Sequence, residues 1–248
     1  MLEPGKRRRA SRWMIIATVG AAVAIGLAIG GWTLSRSWTF QLFGDIVHRV
    51  DTSEKVVALT FDDGPTPAYT DGVLALLREK GVTATFFVTG AEAEMNARET
   101  RAIAAAGHEL GNHTYSHPNM TLASESDAAS EVTRTDAAIR AAGYSGPIHV
   151  RPPFGKKLVG LPLHLAKTDR ITVTWDVEPE SDADVTADAG SIVTHVLERT
   201  KPGSIILLHV MYPSRETSRQ ALPGLIDGLK ARGFRFVTVS ELLDRRAS

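Results

Sequence analysis

From Lys55 onward the chain alternates between short apolar, β-rich runs and longer segments whose apolar residues recur at helical spacing. The strand-like runs are Val56–Phe61, Thr83–Val88, Ile148–Arg151, Ile171–Trp175, Ile205–His209 and Phe234–Val239. Between them lie the helical patterns Asp71–Lys80, Ala91–Ala106, Ser126–Ala142, Ala187–Thr200 and Leu222–Arg232. Gly81, Gly107, Gly143 and Gly233 stand just past helix ends, where a left-handed cap is wanted. This alternation predicts an α/β domain over residues 55–248, its parallel sheet either closed into a barrel or doubly wound. No internal repeat or low-complexity segment interrupts it.

The N-terminus is built differently. Lys6, Arg7, Arg8, Arg9 and Arg12 precede an uncharged stretch from Trp13 to Leu34. As a helix, those residues would extend roughly 33 Å, enough for a hydrocarbon core of about 30 Å. Trp13 and Trp32 stand near its ends, where aromatic rings favour the interface. Gly20, Gly26, Gly30 and Gly31 argue against a soluble core helix. A cleaved signal peptide shares the order of basic then apolar, but its apolar core is usually shorter, about 7–15 residues. The pattern predicts a basic cytoplasmic segment (1–12), a retained transmembrane anchor (13–34), a juxtamembrane stalk (35–54) and an exported domain. If the segment is cleaved, near Ala28 to Gly31, the domain is secreted.

Charge narrows the partners. Although the whole chain is formally neutral, residues 35–248 carry 23 basic and 27 acidic side chains, a net of −4. That offers no basic platform for nucleic acid. The absence of cysteine excludes disulfides and thiolate metal sites. Lys156 and Lys157 could draw an anionic polymer, but surface lysines usually serve solubility.

Four short stretches carry chemistry. Thr60-Phe61-Asp62-Asp63-Gly64-Pro65 ends an apolar strand in two carboxylates and a turn. Adjacent side chains at a strand end diverge, so one carboxylate can serve a metal and the other a water. By itself the stretch is also ordinary turn punctuation. In Gly111-Asn112-His113-Thr114-Tyr115-Ser116-His117, histidines four apart on a helical turn share one face and can grip one ion. With an acidic strand end they complete a two-His, one-carboxylate set suited to Zn²⁺ and to other divalent ions. Arg151-Pro152-Pro153-Phe154-Gly155 is a proline-stiffened loop whose arginine can clamp a carboxylate. His209 ends the run Ile205–His209, where a barrel strand would deliver it to the active-site face. There is no Gly-x-Ser-x-Gly elbow to support a serine nucleophile.

In this order, the TFDDGP, HTYSH, RPPFG and LLH blocks resemble the polysaccharide deacetylase family, the carbohydrate esterases with a NodB-type domain. The match spans roughly residues 54–245 and includes the closing Ala221-Leu222-Pro223 and Gly233–Val239 runs. The resemblance implies a distorted (β/α) barrel of about seven strands and a divalent-metal hydrolase that removes acetyl groups from N-acetylated sugars. It implies Asp63, His113 and His117 as metal ligands, Asp62 as general base and Arg151 as the residue orienting that base. It further implies the Phe154 backbone N–H as oxyanion donor, His209 as general acid and Leu207 as the wall of the acetyl-methyl pocket. Zinc is the expected metal, with cobalt, manganese, nickel or iron as alternatives.

One departure stands out. The family usually carries an Asp followed by Trp after the strand ending near Trp175, and the Asp steers the acid histidine. Here the segment runs Trp175-Asp176-Val177-Glu178-Pro179-Glu180-Ser181-Asp182-Ala183-Asp184 without a second Trp. Asp182 is the candidate partner of His209, Glu178 the alternative, with Asp184 and Asp176 behind them. The expected substrate is an extracytoplasmic glycan: peptidoglycan first, chitin-like oligomers second, an O-acetylated xylan-like polymer third. A non-catalytic glycan-binding relative is the rival from another class.

Overall fold

The computed structural model describes residues 4–246, with side chains from Met14 onward apart from Ile15. Helix α1 (Pro4–Ser35) leads in, and its stretch Ile16–Ser35 has a mean hydropathy of 1.7 and is exposed for most of its length, with Ser35 buried at its end. By length and composition this helix can cross a membrane. The side chains of Lys6 to Trp13 lie outside what is described.

The domain is organised around parallel strands. Strand β2 (Val56–Asp62) is buried along its whole length, as expected of a strand covered on both faces. It pairs in parallel with β3 (Thr85–Val88), β6 (Ile205–His209) and, at its beginning, β7 (Arg235–Val237); β3 in turn pairs with β4 (Glu109–Asn112). A short parallel pair, β1 (Ile46–Val47) with β5 (Thr172–Val173), stands apart. The continuous ladders do not close into a ring. They are joined by single-residue bridges: Val150 to both Asn112 and Thr172, and Val177 to Ile206.

Alternation along β2 divides the core. Val57, Leu59 and Phe61 face a cluster shared with the helices. Val56 and Ala58 face a second cluster with Val47, Phe87, Val173, Trp175 and Leu207. Thr60 and Asp62 follow that second parity, so both point to the side where the chemistry is assembled.

Around the strands lie α2 (Thr70–Lys80), α3 (Gly90–Met95), α4 (Ala97–Ala105), α5 (Glu125–Ala141), α6 (Gly160–Lys167), α7 (Ala189–Arg199), α8 (Glu216–Ala231) and α9 (Val239–Leu243). The glycines expected past helix ends all adopt positive φ, Gly81 at 59° among them. The single helix expected over Ala91–Ala106 is broken at Asn96, whose side chain donates to the Pro65 carbonyl at 2.8 Å. Helix α6 escaped the sequence pattern because Gly160 and Pro162 read as a turn, although proline is tolerated in a first helical turn. Ile148–Arg151 contributes only the bridges at Val150, since Pro147, Pro152 and Pro153 leave little room for a donor ladder.

The stalk expected over residues 35–54 is not a separate spacer. Strand β1 lies within it, and Val47 and Val50 are fully buried. The Ser35 carbonyl accepts the Lys157 N–H at 2.9 Å, and the Ser37 carbonyl accepts the Lys157 ammonium. Lys157 is therefore not a surface lysine. Burial pushes its pKa down to about 8.

Candidate active site

The C-terminal ends of β2, β4 and β6 meet at one cleft of about 390 Å³. The parallel register sets Asp62 beside His209. Asp63 follows at a φ of 74°, its N–H bound to the Phe87 carbonyl at 3.1 Å. Gly64, also at positive φ, leaves no space for a side chain: a Cβ would lie 2.7 Å from Met211 Cγ.

His113 leaves β4 directly after Gly111 and Asn112. A Cβ on Gly111 would come within 2.4 Å of the Phe87 ring, so the close strand approach requires glycine here. His113 and His117 do not share a helical turn, as the spacing suggested. They belong to a loop in which Thr114 and His117 take positive φ. Asn112 Oδ1 accepts the Thr114 N–H at 2.9 Å, and the Glu131 carboxylate accepts the N–H groups of Tyr115 and Ser116 at 2.8 Å each. These bonds fold the loop back and bring His117 to the same place as His113.

The result is a compact donor set. One ligand atom from each of Asp63, His113 and His117 lies within 4.8 Å of the others. Asp63 Oδ1 is 3.4 Å from His117 Nε2 and 3.8 Å from His113 Nε2. His113 Nδ1 is 2.8 Å from the Arg151 carbonyl, which places the ring proton there and leaves Nε2 lone-paired toward Asp63. Burial, followed by the nearby His113, lowers the pKa of His117 and favours the neutral, ligating imidazole. Two imidazoles and a carboxylate of this kind fit a divalent cation.

Two polar pairs, one buried and one part-buried, flank this set. On one side Arg151, wholly buried, donates to Asp62 Oδ1 at 2.6 Å and to Thr60 Oγ1 at 2.9 Å. Its guanidinium also reaches the Thr174 carbonyl at 3.1 Å and lies 4.0 Å from the centroid of Phe87. Burial raises the Asp62 pKa, but Arg151, with His113 and His209, outweighs it and holds the carboxyl below the ordinary range.

On the other side, His209 Nδ1 and the Glu180 carboxylate form a short hydrogen bond, and the His209 N–H donates to the same oxygen at 3.0 Å. Ser218 Oγ donates to the second Glu180 oxygen. Burial lowers the His209 pKa, but its hydrogen bond to Glu180 and the charges of Asp62, Glu180 and Asp63 raise it above the ordinary value.

Asp182 is therefore not the partner of His209. It is exposed, and its carboxylate accepts the Asp184 N–H at 3.0 Å in a surface turn. Asp176 is engaged with Ser204 Oγ and the Ile205 N–H at 2.9 and 2.8 Å, and Glu178 lines the cleft without a hydrogen bond to His209. Glu180 was overlooked among these acids because its role depends on register. Val177 bridges Ile206, so Glu180, three residues on, comes level with His209, three residues beyond Ile206.

Phe154 sits at φ 59°, half exposed, with its ring edge-on to His117 at 4.8 Å between centroids. The loop's own bonds run from Gly155 N–H to the Pro152 carbonyl and from Lys156 N–H to the Pro153 carbonyl. Among the described residues, the Phe154 N–H is left out of them. Leu207 lines the cleft from β6, next to buried Trp175. Trp38, from the segment after α1, also lines it, and no local sequence pattern announced that.

The polysaccharide deacetylase model matches residues 49–183, more than half of the chain. A peptidoglycan-N-acetylglucosamine deacetylase of Bacillus cereus is 38% identical over 215 residues, covering 86% of this chain and 76% of the relative. A chitooligosaccharide deacetylase of Sinorhizobium fredii is 38% identical over 199 residues, covering 76% of this chain and 92% of the relative. The crystal structure of a peptidoglycan N-acetylglucosamine deacetylase in complex with a small molecule matches with a TM-score of 0.74 at 32% identity, covering 81% of this chain and 94% of that one. The chain belongs to the polysaccharide deacetylase family.

Proposed function

We propose that this protein is a divalent-metal-dependent deacetylase acting on N-acetylglucosamine units of an extracytoplasmic glycan, with peptidoglycan first and chitin-like oligomers second. The observation that carries this reading is the convergence of Asp63, His113 and His117 between the Asp62–Arg151 and His209–Glu180 pairs. The named activities of the relatives support the substrate class. We read the parallel strands, linked through Val150 and Val177, as a distorted barrel of about seven strands. Helix α1 is read as a retained anchor that keeps the domain beside the wall.

Asp63, His113 and His117 would hold the cation, zinc first, with cobalt, manganese, nickel or iron as alternatives. When bound, it supplies Lewis-acid polarisation of the acetamide carbonyl and acidifies the attacking water. Asp62, kept ionised and oriented by Arg151, takes the proton from that water. The Phe154 N–H donates to the developing oxyanion. His209, kept protonated by Glu180, gives its proton to the amine as the carbon–nitrogen bond breaks, yielding acetate and the free amino sugar. Leu207 forms the wall against the acetyl methyl.

The test is acetate release by the full-length protein from N-acetylglucosamine oligomers and from peptidoglycan, before and after chelation. Release that stops on chelation and returns with zinc is expected. Undiminished release from metal-free protein would overturn the mechanism, and no release from either glycan by metal-loaded protein would overturn the activity.

A further inference from the structure

The segment that follows α1 delivers an aromatic ring into the cleft. Trp38 stacks on Trp175 with 5.8 Å between centroids and a 38° tilt. Its carbonyl accepts Thr174 Oγ1 at 2.7 Å, and the preceding Ser37 carbonyl accepts the buried Lys157 ammonium. The ring edge presses on the 153–157 loop: a Cβ on Gly155 would stand 3.2 Å from both Cδ1 and Nε1 of Trp38. Two separate parts of the domain, the 153–157 loop and the Thr174–Trp175 segment, thus fix this residue. Even so, Trp38 remains 46% exposed while its stacking partner Trp175 is only 7% exposed.

A large ring that is held in place yet left half wet keeps apolar area available for a ligand to cover. What it faces is the cleft that holds Asp62, Asp63 and His209. A pyranose ring suits such a surface, because it offers an apolar C–H face while its hydroxyls stay in water. An immobilised tryptophan loses little further entropy on contact, so its area converts efficiently into binding. The interfacial alternative, Trp38 as a membrane-surface anchor, fits less well. Trp32, 59% exposed on α1 itself, already occupies that position, whereas Trp38 is turned onto Trp175.

We propose that Trp38 is a substrate-positioning residue that stacks against a sugar ring of the glycan, supplying from the N-terminal segment an aromatic surface that the 176–184 loop lacks. This rests on the reading of the protein as a glycan deacetylase. The consequence is that the anchor-proximal segment is part of the binding site and not merely a tether.

The experiment uses full-length wild type, Trp38→Ala, Trp38→Leu and Trp38→Phe. It measures kcat and KM for the N-acetylglucosamine tetramer, the tetramer Kd by calorimetry on chelated protein, and partition into phospholipid vesicles. Trp38→Ala and Trp38→Leu are expected to raise KM and Kd about tenfold, the equivalent of about 1.4 kcal/mol, while kcat falls by less than about threefold. Trp38→Phe, which keeps a flat ring, should recover most of the loss. Unchanged KM and Kd in Trp38→Leu overturn the proposal, as does equal loss in Trp38→Phe and Trp38→Leu, which would mark a packing role. If only membrane partition changes, Trp38 is an interfacial anchor instead. A wild type whose tetramer Kd depends on Trp38 but which releases no acetate overturns the catalytic reading and leaves the stacking surface standing.

Discussion

Two polar pairs, one buried and one part-buried, line the cleft, and they do opposite things with the same materials. In one, the cation Arg151 is permanent and the carboxylate Asp62 is the group to be tuned. In the other, the carboxylate Glu180 is the fixed partner and the imidazole of His209 is tuned. The first pair lowers the pKa of a carboxyl, which favours its ionised form; the second raises the pKa of an imidazole, which favours its protonated form. Side by side on β2 and β6, neighbouring residues in parallel register therefore have their pKa values pushed in opposite directions. In the mechanism we propose, the second member of each pair, and not the titrating residue alone, sets the direction of proton transfer.

The comparison breaks hardest at Asp62. Asp62→Asn keeps the shape and the Arg151 contact but cannot take a proton, so turnover should fall by about 10²–10⁴ while metal content, read by elemental analysis, stays at the wild-type level. Near-full activity in this variant would reassign the base. Next comes Arg151→Met, which leaves the Asp62 carboxylate buried without its cation. Removing one partner of a buried pair costs about 3–5 kcal/mol, so denaturant unfolding should shift to lower concentration together with the loss of activity. A variant as stable as wild type would mean that Asp62 is solvated by other means.

These two residues were legible in the sequence because strand ends and short motifs are local. Asp62, Asp63 and His209 close apolar runs, and Arg151 opens a proline-rich loop. The strand–helix alternation likewise exposed the parallel sheet. What was hidden depends on partners remote in sequence. Glu180 was lost among neighbouring acids because its pairing with His209, 29 residues away, follows from a single bridge at Val177. Trp38 reaches the cleft only because residues 35–54 dock on the domain and Lys157 is buried beneath them. The histidine pair was found for a reason that does not hold here: the four-residue spacing suggested a helix, yet Glu131 and Asn112 shape a loop that achieves the same convergence.

Glu180 sharpens the contrast by a smaller step. Glu180→Gln keeps a hydrogen-bonding group beside His209 but removes its charge. The His209 pKa then falls, and the high-pH limb of kcat, which tracks loss of the acid proton, moves to lower pH. Activity at neutral pH should drop about a hundredfold, at the low end of what proton transfer supplies. The stability linkage has the same origin. A raised imidazole pKa stabilises the fold fully below the ordinary value of about 6.5, and that contribution is lost as pH rises through the raised pKa. Glu180→Gln should therefore flatten the dependence of stability on pH in that window. A pH–kcat profile superimposable on wild type would show that Glu180 does not set the acid.

The smallest effect belongs to Asp182, and its smallness is the point. Asp182 and Glu180 are both acids in one loop, and composition alone ranks them together. Burial and direction separate them, since Glu180 lies under Ser218 and His209 while Asp182 closes a turn in solvent. Asp182→Asn keeps an oxygen to accept the Asp184 N–H, so stability should stay within about 0.5 kcal/mol of wild type and kcat should be unchanged. If instead Asp182→Asn moved the high-pH limb as Glu180→Gln is expected to, the loop would have to rearrange during turnover. The acid pair would then be assembled by substrate binding and not built into the resting fold.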